Sequence, residues 1–361
     1  MSHKDNFIFR ADAGAAIGSG HVMRCISLAQ ALMKEGAHCL FVTAGRAAAD
    51  RIEAAGIPCR LLKEDAAAAE KEGAFLDFLA KKDGCTVILD SYDVTAGFMQ
   101  ALREKARLVY FDDLAAFPYP ADGIINYNLY AAEETYRALY RESGVEYPRE
   151  WYLGPSFTPL REVFADCGAR RFDGVKNVLV TCGGADTERI LPAIAGMIGE
   201  EPALSDIRFR ILSGSLLDAA EVRELRTVSE KSGQITLLPH TDKMKELIES
   251  CDLAVSAAGS TLHELCACGT PAICYVTADN QIRNALSFAE AGLMEYAGDC
   301  RDREKFLRTL RAALIGAAKR DGKALAGMSA KMQETEDGKG AARLSKRLME
   351  AARGNGSGGI G

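Results

Sequence analysis

The chain has 361 residues, 48% hydrophobic and 26% charged, with a formal net charge of −6. That is enough for one large or two ordinary globular domains, and the negative balance gives no general attraction to nucleic acid or an anionic bilayer. No apolar run approaches the roughly 20 residues of a membrane span and no signal-peptide pattern opens the chain, so a cytoplasmic protein without membrane insertion is expected.

Phe7-Ile8-Phe9 reads as a short apolar strand. It runs into a loop carrying Gly14, Gly18 and Gly20, then a helix in which Val22, Ile26, Leu28, Ala29, Leu32 and Met33 recur at helical spacing and Gly36 is the stop. Strands follow at His38–Thr43, Cys59–Leu62, Thr86–Leu89, Arg107–Phe111 and Gly123–Asn126. Helices are predicted at Ala47–Ala55, Glu64–Lys82 and Thr95–Lys105. Short strands, apolar throughout and alternating with helices, predict a doubly wound parallel sheet. The stretch from Trp151 to Arg171 is turn-rich, then polar, and marks a boundary.

The rhythm then restarts. Strands are predicted at Asn177–Cys182, Phe209–Leu212, Ile235–Leu238, Leu253–Ser256 and Ala272–Val276. Helices fall at Thr187–Ile198, Ala219–Glu230, Met244–Glu249, Thr261–Cys268, Gln281–Ala291 and Arg303–Ala318. The expected domains are residues 5–160 and 172–352, with 353–361 a flexible glycine-rich tail. Eleven cysteines, scattered and mostly within apolar segments, argue against a complete disulfide framework. Cys266 and Cys268 are the one close pair, without companions at zinc spacing, so no metal is expected.

Three places suit chemistry. The first is the Gly18-Ser19-Gly20-His21 turn, which is neither a dinucleotide fingerprint nor a Walker loop. It is either a tight strand–helix turn with a solvated histidine or a ligand loop with an imidazole able to take a proton near neutral pH. The second is the row of polar residues that end apolar strands: Asp12, Asp90, Tyr92, Asp112, Asp113, Asn126 and Asn128. Singly each is a turn former; together they share one sheet edge. The third is the pair of turns at Gly183-Gly184 and Ser256-Ala257-Ala258-Gly259-Ser260-Thr261, whose backbone N–H groups suit phosphate. The competing reading makes Ser260 or Thr261 a simple N-cap. Glu264, one helical turn on, is either a ribose ligand or a surface carboxylate. His3, His38, His240 and His263 receive no chemistry, although His240 follows Pro239 in a loop that could overlie a nucleobase.

Arg10-Ala11-Asp12, with Ile17-Gly18-Ser19-Gly20-His21-Val22-Met23-Arg24-Cys25, resembles the N-terminal signature of the UDP-2,4-diacetamido-2,4,6-trideoxy-β-L-altropyranose hydrolases of pseudaminic acid biosynthesis. Spore-coat polysaccharide proteins share the pattern. Asp90-Ser91-Tyr92, Asp112-Asp113, Asn126-Tyr127-Asn128, the Gly154–Phe164 joint and Cys182-Gly183-Gly184-Ala185-Asp186 continue the resemblance in order. Ala258-Gly259-Ser260-Thr261, Glu264 and Asp279-Asn280-Gln281 complete it. Ala13-Gly14 and Ser19 vary mildly from that pattern, and His263 stands where it has an aromatic.

The resemblance implies a GT-B fold of two Rossmann-like domains facing a cleft, with UDP on the C-terminal one. It implies that His21 activates or positions a water that attacks the anomeric carbon, with C–O cleavage, inversion and release of UDP. Asp12, Gly18, Gly20, Asp90, Tyr92 and Asn126 are implied around the sugar or His21, and Asn280 and Gln281 around the sugar or diphosphate. Gly183, Gly184, Ala258, Gly259, Ser260 and Thr261 would hold the diphosphate, and Glu264 the ribose. The implied partner is a small UDP-sugar; no cofactor or metal is implied, and a monomer is expected. A GT-B glycosyltransferase acting on a related sugar is the alternative, and a catalytically silent sugar-nucleotide sensor a third reading.

Overall fold

The computed structural model describes residues 5–12, 20–82, 84–184, 186–214 and 217–354. They form two α/β units: residues up to 162 together with those from 339 onward, and residues 163–338.

The first unit is a seven-stranded parallel sheet. Its strands are β1 (Asn6–Ala11), β2 (His38–Thr43), β3 (Cys59–Leu61), β4 (Cys85–Asp90), β5 (Arg107–Phe111), β6 (Gly123–Asn126) and β7 (Glu150–Leu153). Their order is β3-β2-β1-β4-β5-β6-β7. Side chains alternate across a strand. Phe7, Phe9 and Ala11 therefore enter one core while Ile8 enters the other. That is why β1 reads as unbroken apolar sequence. Five helices follow strands of this sheet: α1 (Gly20–Lys34), α2 (Arg46–Ala54), α3 (Ala68–Leu79), α4 (Ala96–Arg103) and α5 (Glu133–Tyr140).

The second unit has six parallel strands: β8 (Asn177–Thr181), β9 (Arg208–Leu212), β10 (Ile235–Leu238), β11 (Leu253–Ala257), β12 (Ala272–Val276) and β13 (Glu295–Asp299). Their order is β10-β9-β8-β11-β12-β13. Its helices are α6 (Leu191–Gly199), α7 (Ala219–Ser232), α8 (Met244–Glu249), α9 (Thr261–Ala267), α10 (Ile282–Glu290), α11 (Arg303–Ala318) and α12 (Gly322–Thr335). His263, fully buried on α9, pairs with Glu336 at 2.7 Å and meets the Phe288 ring edge-on.

The last helix, α13 (Gly340–Gly354), departs from the expected division at 172–352. Leu344, Leu348 and Ala352, one turn apart, pack into the core of the first unit with Val22, Ile26 and Phe9. Gly338 provides a positive φ of 72° before it. At Gly340 a side chain would lie 2.6 Å from the Thr158 amide nitrogen, so only glycine lets the backbones meet. A parallel sheet needs both faces covered, and α13 with α1 supplies that cover here.

Two further differences have local causes. Residues 187–190 precede α6 rather than belonging to it, because Asp186 accepts the Ile190 and Leu191 N–H groups at 2.9 and 2.7 Å and starts the helix there. α5 lies between Asn126 and Trp151, where the sequence reading names no element, and β7 lies at the start of the expected boundary. The expected tail, from residue 355, lies outside the described residues.

Candidate active site

Both sheets reverse strand order beside their first strand, β1 against β4 and β8 against β11. Ligands of open parallel sheets bind outside the carboxyl ends of the strands at such a reversal. The described segments that follow these strand ends, with the first turns of α1 and α9, carry most of the candidate residues.

In the first unit Ala11 and Asp90 are register partners at the ends of β1 and β4. α1 opens at Gly20 and presents His21 and Arg24 three residues apart, hence on one face. Arg24 grips Asp90 with two bonds of 2.7 Å, from Nε and Nη2. Its Nη1 donates to both Asp113 oxygens at 3.0 Å and to the Tyr127 hydroxyl at 2.9 Å. His21 Nδ1 lies 2.9 Å from Asp90 Oδ1, though outside hydrogen-bond alignment. The Tyr92 ring meets the imidazole edge-on, centroids 4.6 Å apart, while its hydroxyl donates to Asp113 at 2.9 Å. His21, Arg24 and Asp90 are 6%, 8% and 1% exposed.

Burial by itself would raise the Asp90 pKa, but Arg24 and then His21 hold it well below the usual carboxylate range. Burial likewise opposes the charge on Arg24, and Asp113 and Asp90 outweigh it. Asp90 is thus a fixed anion that can orient an imidazole. A neutral His21 that carries its proton on Nδ1, the nitrogen beside Asp90, accepts a proton on Nε2. Asp90 and Asp113 together exceed Arg24 by one negative charge, so a proton taken by His21 brings the group to neutrality.

Several expected sugar contacts have other work. Asp12 Oδ1 accepts from Ala44 N and Thr43 Oγ1 at 2.8 and 2.9 Å, and Oδ2 pairs with Arg10 at 2.7 Å. Its carboxylate joins the ends of β1 and β2. Burial opposes that charge, but Arg10 and the Ala44 amide lower the pKa below its usual value. Asn126 is 1% exposed; its Nδ2 donates to the Tyr136 hydroxyl and its Oδ1 accepts from Asn128. It braces the strand end. Gly18 lies outside the described residues.

In the second unit Gly183 has φ +81° and donates its N–H to Thr181 Oγ1. Beside it, a Cβ on Gly214 would sit 2.5 Å from the Gly184 carbonyl oxygen. The turn thus rests on three glycines, the third contributed by the loop after β9. After β11, Ala258 N donates to Tyr275 O at 2.8 Å, and Asn284 Nδ2 from α10 donates to Ala258 O at 3.2 Å. Ser260 stands at the head of α9 in helical conformation with no side-chain cap bond, which sets aside its reading as a simple N-cap. Thr261 is the first residue of α9, and Glu264 lies half-buried one turn on. Asn280 is exposed, whereas the Gln281 side-chain oxygen accepts from Thr277 N and Oγ1 at 3.0 and 3.1 Å.

Sequence reasoning assigned no role to Arg24, Gly214 or Asn284. The signal for Arg24 is its place one turn after His21. No local signal marks the other two, whose partners lie in distant segments.

Residues 177–344 match the glycosyltransferase family 28 C-terminal domain. The chain is 27% identical over 150 residues to the spore coat polysaccharide biosynthesis protein SpsG of Bacillus subtilis, covering 41% of each chain. It is 27% identical over 227 residues to the pseudaminic acid cytidylyltransferase and UDP-2,4-diacetamido-2,4,6-trideoxy-β-L-altropyranose hydrolase of Helicobacter pylori, covering 62% of this chain and 39% of that protein. The chain therefore spans well under two thirds of the length of these relatives. The structure is similar to MurG of Acinetobacter baumannii, with TM-score 0.65 at 14% identity over 96% of this chain and 99% of that one. With its two parallel-sheet α/β units, the chain has a GT-B fold whose second half matches the family 28 C-terminal domain.

Proposed function

We propose that the protein hydrolyses a UDP-activated 2,4-diacetamido-2,4,6-trideoxy hexose, releasing UDP and free sugar for nonulosonic acid synthesis. The observation that carries this reading is the buried His21–Asp90–Arg24 group at the strand-order reversal of the first sheet. The name of the H. pylori relative supplies the substrate class.

In this mechanism Asp90 orients His21 through Nδ1, and Nε2 takes a proton from water as the water oxygen attacks the anomeric carbon. The bond from that carbon to the β-phosphate oxygen breaks with inversion, and UDP leaves with the electron pair. The N–H groups of Gly183, Ala258 and Gly259 are held within the two turns, and the amides of Gly184, Ser260 and Thr261 meet the charge that develops on the diphosphate. Glu264 takes the ribose hydroxyls, and Tyr92 and Asn280 bind the sugar. General-base help of this kind contributes about 10²–10⁴ in rate.

The test is incubation with the UDP-sugar and no acceptor, in ¹⁸O-labelled water. Prompt UDP release with label on the sugar is expected, and His21→Ala should fold yet lose about 10²–10⁴ of the turnover. Label on phosphate, or a His21→Ala variant of undiminished rate, overturns the assignment. The family 28 match favours one second reading, transfer of the sugar to an acceptor hydroxyl. It predicts inertness until an acceptor is added.

A further inference from the structure

We propose that Cys167, Glu249 and Cys268 form a binding site for a divalent cation of the zinc class in the second unit. Cys167 lies in the segment that enters this unit, Glu249 ends α8, and Cys268 closes α9. Their donor atoms all lie within 4.8 Å of one another, and the two sulfurs are 3.6 Å apart.

That spacing is informative. Two thiolates on one tetrahedral zinc, each at about 2.3 Å, stand roughly 3.7 Å apart. A disulfide requires about 2.0 Å. The pair is already at the separation a shared cation needs, and a soft or borderline metal is what two sulfurs and one carboxylate select. Cys268 is fully buried, while Cys167 is half-buried and leaves an approach from solvent. Lys245 pairs with Glu249 at 2.8 Å and is the resident cation of the cluster. Its Nζ meets both Glu249 oxygens, at 2.8 and 2.9 Å, so metal uptake displaces it; the side chain is 21% exposed on a flexible stem and moves out to solvent. On binding, each thiol gives its proton to solvent, a water completes four-coordination, and no electron is transferred.

The sequence offers one close pair, Cys266 with Cys268, and from it no metal is expected. Residues two apart on a helix do not face each other. The fold instead brings Cys268 to a cysteine 101 residues away.

The experiment titrates reduced, metal-free protein with Co²⁺ and then displaces it with Zn²⁺. A thiolate-to-cobalt charge-transfer band saturating at one equivalent is expected. It should vanish in Cys167→Ser and Cys268→Ser and persist in Cys59→Ser, which removes the other half-buried thiol. Glu249→Gln should weaken apparent affinity about tenfold or more. In parallel, Zn²⁺ should protect Cys167 but not Cys59 from iodoacetamide, a readout that needs no variant to fold. No band in the wild type, a band that survives in Cys167→Ser, or unprotected Cys167 overturns the proposal. Recovery of a Cys167–Cys268 disulfide in place of metal uptake does the same.

Discussion

Asp90→Asn tests how the first site is built. Asp90 is 1% exposed and receives two guanidinium bonds of 2.7 Å. Asparagine keeps one acceptor oxygen and sets an N–H donor against either Arg24 or His21. Removing one partner of a buried ion pair costs about 3–5 kcal/mol. Arg24 retains Asp113 and Tyr127, which places the loss toward the lower end, about 3 kcal/mol. The coupling between Arg24→Met and Asp90→Asn in a double-mutant cycle should therefore reach about 2–3 kcal/mol. Because the chain has two units, one global transition is not a safe measure. Hydrogen exchange of α1 and β4 amides reports the first unit alone. Asp90 is held below its usual 3.8, so the stability it contributes is complete above that value and is lost as pH falls through the lower, folded value. Asp90→Asn should abolish that acid-side loss. A coupling below about 1 kcal/mol, the worth of an exposed pair, would refute the reasoning.

Gly214→Ala drives a methyl group against the Gly184 carbonyl and should weaken UDP binding about tenfold or more by calorimetry; unchanged affinity would detach this loop from the diphosphate. Leu344→Ala should destabilise the first unit by about 2–5 kcal/mol, read as faster exchange in α1, although residue 344 lies far beyond that unit's last strand. Glu221 is 3% exposed; burial first, then Asp186, push its carboxyl up to about 8 from 4.5. The native state then binds more protons between those values, so stability falls as pH rises from about 4.5 to about 8. Glu221→Gln should flatten that slope in the protection of α7 and β8 amides followed by hydrogen exchange at several pH values, which reports the second unit alone, and an unaltered slope would assign it to other groups.

The strands were legible because parallel strands are buried on both faces, which leaves continuous apolar runs such as Phe7-Ile8-Phe9 and Thr86–Leu89. Their carboxyl ends were legible too, since polar residues and glycines must begin where burial stops. β7 and β13 escaped notice because each is an edge strand with one neighbour, and edges tolerate residues such as Glu150, Glu295 and Gly298. The start of α6 was misplaced because periodicity does not register the Asp186 carboxylate that caps it.

By itself the sequence determined the two βα rhythms, the glycine turns and His21 at the mouth of a helix, since all are short-range consequences of burial and backbone freedom. Only the tertiary structure decided that Arg24 meets Asp90 and Asp113, that Gly214 abuts Gly184, that Cys268 meets Cys167 and that α13 belongs with α1. Those pairings join segments tens to hundreds of residues apart. They depend on the order in which strands assemble, and no local periodicity encodes that order.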